Sequence, residues 1–338
     1  MKFLFVLPQN SYDDSLWHAL CLIQALANNR HEVRVAIRES SLTASLFETI
    51  GVPIEPVLSA KHGIVGRLKQ SKNFKRLERR FSPDFMIAYG KPPVGWHHLK
   101  QAEAIAVVTD WKARASWADR MWRVITPCEG IRRQLIKRYR LVEARIHTLY
   151  GGIEPVADAQ IRRDTLRKAL HIKENNVLIG IIGAPSEHSG HELLMQALSQ
   201  HYHPNLKLLG LVKDEVEADR FMQLAKRYNI ASASKTQLYQ EGELTPLTAL
   251  DIGVIADTQP EGVAKKAVEL IAAGVAVVSS DIGANGEVCR PENRFENNVA
   301  VSLMDRVISH ENNSKSFDET RLYEELMLLL SENERVAG

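Results

Sequence analysis

Glu261 and Glu269 bracket the nonapeptide EGVAKKAVE, with Lys265 and Lys266 side by side between them. Two readings of this spacing compete. On a solvent-facing helix, Lys265 and Glu269 stand four apart and form a surface ion pair worth a few tenths of a kcal/mol. The other reading uses position. Glu261 follows the strand-like DIGVIA and precedes a helix whose packed face is Ala264, Ala267, Val268 and Ile271. Ligands of open α/β sheets bind at the carboxyl ends of strands. The N–H groups of residues 262 to 265 open the helix, and a helix N-terminus favours phosphate. A carboxylate beside them accepts hydrogen bonds from sugar hydroxyls. Glu269, two turns on, is placed for the ribose of a nucleotide lying along the helix. Diphosphate, sugar and ribose together describe a nucleotide-diphosphate sugar.

Other candidates are scattered. Asp110 ends the run AIAVVTD, where it either meets a ligand or closes an Asx-turn. His97 and His98 follow Gly95-Trp96 near another strand end. Neighbours on a helix point different ways, so at most one of them, His97, faces a ligand. Asn10 lies in the polar loop PQNSYDDS after the first strand, on the expected acceptor side, and Asp14 or Ser15 is expected to cap the helix that follows. Trp111, Trp117 and Trp122 either pack in the core or form a sugar or lipid platform.

The elements that must position these residues are legible. KFLFVL, EVRVAI, FMIAY, AIAVVT and RVIT read as short buried strands. Between the first two lies SLWHALCLIQALANN, with Leu16, Leu20, Ile23 and Ala27 on one face. The second half repeats the scheme with VLIGIIG, NLKLLGL, DIGVIA and VAVVSS between helix-like HSGHELLMQAL, EVEADRFMQLAKRY and GVAKKAVELIAAG. Gly274 fits a left-handed helix stop. Apolar strands alternating with helices imply parallel sheets covered on both faces. A break lies near YGGIEPVADAQ, and DETRLYEELMLLLSENE reads as an amphipathic helix. The expectation is α/β: two doubly wound Rossmann-like domains facing a cleft, 1–152 and 153–315, with a C-terminal helix and tail, 316–338, crossing back.

EGVAKKAVELIAAGVAVVSSDIGANGEV resembles the signature region of retaining glycosyltransferases of the GT-B fold, especially glycosyltransferase family 4. Glu261, Glu269, Gly274, Val275 to Val278, Ser280-Asp281, Gly283 and Glu287 carry the likeness. Upstream, ADRMWRVITPCEGIRRQLIKRYRLVEARIHTLYGGIEP resembles the family's interdomain stretch, and RHEVRVAI its Gly-His-x-Val strand entry, with Arg30 for Gly. The resemblance implies that Glu261 contacts the donor sugar, that Glu269 holds the ribose, and that the backbone of Gly262, Val263 and Ala264 meets the diphosphate. It implies transfer with retention, without a metal or cofactor, the leaving phosphate taking the acceptor proton. The family's Gly-Arg-Leu-x3-Lys-Gly turn is here GAPSEHSG. Gly183 and Gly190 match; Ala184 replaces the arginine and Ser189 the lysine. Lys265, Lys266 or a protonated His188 would then have to supply the missing cationic stabilisation, whose loss costs ~100-fold or more in rate.

The bulk numbers exclude other classes. In 338 residues, 45% hydrophobic and 25% charged content is ordinary for a soluble globular protein. A net charge of +2 gives no global case for nucleic acid. Cys21, Cys128 and Cys289 form no CxxC, so no zinc site is expected, and their sparse, odd count points to a reducing compartment. The N-terminal apolar run is too short for a signal peptide or a membrane span, so the expected location is cytoplasmic or on the inner membrane face. KHGIVGRLKQSKNFKRLERR, 61–80, is either a solvated basic helix or a contact for anionic lipid. The leading expectation is a hexosyltransferase acting on a glycan or lipid-linked acceptor in surface glycan biosynthesis. The rivals are a non-catalytic homologue that binds a nucleotide or a partner, a nucleotide-sugar epimerase, and a dehydrogenase, disfavoured because no GxGxxG follows a strand.

Overall fold

The structure is a computed structural model that describes residues 1–8, 12–38, 43–58, 63–201, 203–240, 242–310 and 317–331. The chain divides into two compact units, Met1–Gly152 with Glu319–Gly338, and Ile153–Asp318.

The first unit runs β1 (Lys2–Val6), α1 (Asp14–Asn28), β2 (Glu32–Arg38), α2 (Ala44–Thr49), β3 (Ile54–Leu58), α3 (Gly63–Arg80), β4 (Phe85–Tyr89), β5 (Glu103–Val107), β6 (Arg123–Thr126), α4 (Glu129–Tyr139) and β7 (Ile146–Thr148). Its seven strands pair in parallel in the order β3-β2-β1-β4-β5-β6-β7. The five apolar runs read from the sequence are strands; β3 and the three-residue β7 complete the edges. Phe3, Leu4, Phe5, Ile87 and Ile105 are fully enclosed, as continuous apolar strands under two helical layers should be. α1 is capped by Asp13, whose side chain accepts from the Leu16 N–H at 2.8 Å. The cap therefore falls one residue before the expected Asp14 or Ser15, and Ser15 Oγ instead lies 2.6 Å from Thr109 Oγ1. His18, on the buried face of α1, donates from Nε2 to the Leu149 carbonyl (2.8 Å), leaving Nδ1 to accept from the Tyr89 hydroxyl (2.7 Å). Burial lowers its pKa to about 4, the Leu149 bond only partly opposing this.

The second unit runs α5 (Ala159–Ala169), β8 (Val177–Ile182), α6 (His191–Gln200), β9 (Leu206–Val212), α7 (Glu215–Arg227), β10 (Ser234–Leu238), β11 (Ile252–Ile255), α8 (Lys265–Ala272), β12 (Ala276–Ser280), α9 (Gly283–Val288), β13 (Arg294–Phe295) and α10 (Ala300–Ser309). The six parallel strands are ordered β10-β9-β8-β11-β12-β13. Strand order reverses between β8 and β11, the switch point where such sheets hold ligands. α8 ends as the sequence implied, with Gly274 at φ +76°. It begins later than its pattern suggested, at Lys265, because the Ala284 N–H donates to the Glu261 carbonyl (2.9 Å) and holds the preceding residues out of the helix.

The chain then returns to the first unit as α11 (Glu319–Ser331), which buries Leu322, Leu326, Leu329 and Leu330. It is fixed to α1 where Asn28 Nδ2 donates to Glu319 Oε1 at 2.6 Å. The two units are thus each a parallel-sheet α/β domain, the architecture expected from the sequence.

Candidate functional site

The turn from β11 to α8 gathers three charges. Lys266 Nζ lies 3.0 Å from each oxygen of Asp257 and 3.0 Å from Glu261 Oε1. The other carboxylate oxygen of Glu261 accepts from Asn285 Nδ2 at 2.6 Å. Asn285 sits on α9, and its Oδ1 accepts from the Ala267 N–H at 3.2 Å. It thus caps α8, whose own N-cap, Ala264, has no side chain able to do so. Burial pulls the Lys266 pKa down, but Glu261 and Asp257 more than offset this and raise it above the ordinary lysine value. The group is a charged triad of net −1, with Glu261 oriented from both sides. Beside it, the backbone N–H groups of Gly262, Val263 and Ala264 have no hydrogen-bond partner among the described residues. Val263 and Ala264 bury their side chains, which anchors that backbone.

The exposed helix face expected for Lys265 and Glu269 is overturned. The two residues are 7% and 1% exposed, because this side of α8 packs inside the unit. Glu269 Oε2 accepts from the Tyr239 hydroxyl at 2.9 Å. Tyr239 follows the edge strand β10, whose polar SKTQL gave no strand signal.

The neighbouring turn, from β8 to α6, is organised differently. Gly183 takes φ +95° and Gly190 φ +66°. A Cβ on Gly190 would lie 1.9 Å from the Ala256 carbonyl oxygen, so only glycine allows this turn to touch the end of β11. Ser189 Oγ accepts from the Ser186 N–H (2.8 Å) and lies 3.0 Å from the Ser186 carbonyl and 2.8 Å from His191 Nδ1. His191 donates from Nε2 to the Gly183 carbonyl at 3.1 Å and packs edge-on to Phe221. Burial lowers its pKa to about 4, with the bond to Gly183 opposing, so the ring is a neutral peg. His188 reaches across to the other turn. Its Nδ1 lies 3.3 Å from Thr258 Oγ1, its Nε2 3.0 Å from Gln259 Nε2, and its carbonyl accepts from the Thr258 N–H.

The first-unit candidates have local roles. Asp110 Oδ1 accepts from the Lys112 N–H at 2.8 Å, which is the Asx-turn. His97 and His98 share a single 3₁₀ turn with ring centroids 4.4 Å apart, closer than divergent helix neighbours would be, and His98 Nε2 lies 2.8 Å from Ser71 Oγ. Asn10 lies outside the described residues. Trp111, Trp117 and Trp122 are half-buried, so none is a fully enclosed core residue.

Sequence reasoning therefore brought Glu261 and Lys266 together but missed Asp257, Asn285, Tyr239 and His191. Asp257 had a readable signal, an acid two residues beyond a buried strand. Asn285 and Tyr239 had none, because each comes from another element and only folding brings it near.

Two family models match the chain. The one described as Glycosyltransferase Family 4 covers residues 17–156, and the one described as Glycosyl transferases group 1 covers residues 162–323. A sequence search of curated proteins finds no match. Among solved structures, a glycosyltransferase from Rickettsia africae superposes with TM-score 0.76 at 13% identity, over 97% of this chain and 93% of that one. HepE from Anabaena in complex with UDP gives 0.75 at 16% identity, over 98% and 100%. The lipopolysaccharide outer core galactosyltransferase WaaB gives 0.69 at 13% identity, over 98% and 99%.

Proposed function

From the premise that this chain belongs to the glycosyltransferases of the GT-B fold, we propose that it moves a hexosyl group, with retention, from a nucleotide-diphosphate sugar to a saccharide or lipid-linked acceptor. The observation that carries the reading is Glu261. Its carboxylate is fixed from both sides by Lys266 and Asn285, at the strand-order switch point, beside three backbone N–H groups without partners among the described residues. In this reading Glu261 accepts donor-sugar hydroxyls and the N–H groups of Gly262, Val263 and Ala264 meet the diphosphate. Glu269, oriented by Tyr239, holds the ribose. HepE's complexes with UDP and UDP-glucose make uridine nucleotides the first donors to try.

The bond from the sugar's anomeric carbon to the phosphate oxygen breaks, and a bond to the acceptor oxygen forms on the same face. The acceptor proton passes to the leaving phosphate, so no dedicated base is required. Lys266 supplies the cation next to that phosphate in place of the arginine and lysine replaced by Ala184 and Ser189. Asp110 keeps Oδ2 for an acceptor hydroxyl, with His97 and Asn10 as further acceptor-side contacts. The acceptor belongs to surface glycan synthesis, as lipopolysaccharide does for WaaB and WaaG.

Calorimetry with UDP, GDP and their sugars tests the donor assignment. Binding of one nucleotide, weakened at least tenfold by Glu269→Ala, is the expected result; no binding to any would sink it. A radiolabel transfer assay should then lose at least ~100-fold in Glu261→Ala. The net −1 charge of the triad, together with Ala184 and Ser189, favours the second reading, a homologue that binds without catalysing. Nucleotide binding with no transfer to any offered glycan would establish that reading instead.

α3 gives the membrane contact its form. Phe74 and Leu77 face inward, whereas Ile64, Val65 and Leu68 are 78%, 68% and 67% exposed. They share the helix with Arg67, Lys69, Lys72, Lys75, Arg76 and Arg79, an apolar patch among cations suited to an anionic bilayer; Lys61 lies outside the described residues. No described helix is long and apolar enough to cross a membrane. Sedimentation with anionic vesicles should fall sharply in Ile64→Ser/Leu68→Ser. Unchanged sedimentation would remove this contact.

A further inference from the structure

A cavity of about 420 Å³ opens in the first unit at the amino-terminal ends of its strands. Glu103 is the first residue of β5, Arg123 the first of β6, and Arg145 immediately precedes β7. Catalytic sites of such sheets lie at the carboxyl ends, so this cavity is separate from the chemistry assigned above. Its volume is that of ordinary small-molecule sites.

Three features of its wall point to one ligand class. Two half-buried indoles, Trp96 and Trp122, form an apolar surface of the kind that receives the C–H face of a sugar ring. Arg120 and Arg145 line the rim; Arg120 is exposed, and Arg145 Nη1 donates to the Asp119 carbonyl at a long 3.4 Å. Arg123 is buried behind them, its guanidinium 4.8 Å from the Trp122 ring centre and its Nη1 2.6 Å from His147 Nε2. This pair locks Trp122 in place and adds positive potential. Glu103, finally, keeps Oε2 shielded from solvent with no hydrogen-bond donor among the described residues. A buried acceptor left without a donor costs about 1–3 kcal/mol, more when charged, and a ligand hydroxyl would satisfy it. An apolar ring face, hydroxyl donors and a negative charge are together the properties of an anionic saccharide.

We propose that this cavity binds an anionic saccharide, a sugar carrying a carboxylate or phosphate. The ring lies against Trp96 and Trp122, the anion meets Arg120 and Arg145, and a hydroxyl donates to Glu103. The site would hold a charged residue of a glycan chain away from the reacting end, and it stands independently of the donor assignment.

The test uses glucuronate, glucose 6-phosphate and glucose as probes, by saturation-transfer NMR and calorimetry on the full chain. Expected is saturable, millimolar binding of both anionic sugars, at least tenfold weaker for glucose. Arg120→Ala/Arg145→Ala should weaken the anionic probes at least tenfold, and Arg120→Lys/Arg145→Lys should restore part of that. Both arginines reach solvent, so the unfolding temperature should not move. Equal binding of glucose and glucuronate, no binding of either anionic probe, or binding that the double alanine variant leaves unchanged would overturn the proposal.

Discussion

Two strand-to-helix turns of the second unit lie side by side and are built on opposite principles. The turn after β8 has no lysine or arginine, and its packed polar groups satisfy one another. Ser189, Ser186 and the carbonyl of Gly183 are bonded among themselves and to His191, an imidazole held uncharged by burial. The turn after β11 carries Asp257 and Glu261, each 3.0 Å from Lys266 Nζ, with Asn285 reaching in from α9. The Gly-Arg-Leu-x3-Lys-Gly pattern that the sequence resembles would put two cations on the first turn, where this chain has Ala184 and Ser189. Here the cation next to the first glutamate has come from the helix that follows the second turn. Charge is concentrated on the turn after β11, and the turn after β8 packs against it.

Gly190→Ala has the largest expected effect on the contact between the two turns. It puts a Cβ against the Ala256 carbonyl in a left-handed backbone conformation. Unfolding stability should fall by about 4 kcal/mol, from strain plus steric clash. A loss under ~1 kcal/mol in urea titration would mean that the turns are not locked together.

The scaffold role of His191 predicts a pH dependence. A histidine held at about 4 instead of its ordinary 6.5 binds fewer protons folded than unfolded, so stability is full above pH 6.5 and declines as pH falls toward 4. The decline is about 3 kcal/mol for His191, and His18 adds a comparable one in the first unit. His191→Gln should flatten the second unit's share of the urea-midpoint profile between those limits. A profile identical to wild type would show that His191 is protonated in the fold.

Lys266→Met leaves Asp257 and Glu261 facing each other without their ammonium. Fully buried pairs lose ~3–5 kcal/mol when broken. These side chains retain 12–30% exposure, so about 2 kcal/mol is expected. Because the Lys266 pKa is raised, wild type keeps this contribution up to the ordinary 10.5 for as long as both carboxylates are ionised, and on the alkaline side loses it only in stronger alkali. The smallest expected effect is Ala184→Arg. Placing a cation on the turn after β8 should tighten UDP about tenfold, or ~1.4 kcal/mol, in calorimetry. No change would show that this turn does not face the diphosphate.

Much of the fold was legible because buried parallel strands are long apolar runs, and β1, β8 and β11 are almost wholly apolar. β10 and the two-residue β13 were not, since edge strands carry polar residues and short ones have no period. In the candidate site, Glu261 and Lys266 could be found by spacing because five residues along one chain set their proximity. Glu269 could be singled out but not placed: Lys265 and Glu269 have the spacing of an exposed pair and lie buried.

Two parallel-sheet domains and the acidic signature at the end of β11 were readable from the chain alone. Each is a local pattern of burial or turn chemistry that one stretch of chain can carry. The tertiary structure decided the partners. Asn285 and Tyr239 lie 24 and 30 residues from the glutamates they hold, and His191 pegs a turn through a bond back to Gly183. Whether a carboxylate is oriented, neutralised or left to a ligand depends on groups that only packing brings within 3 Å.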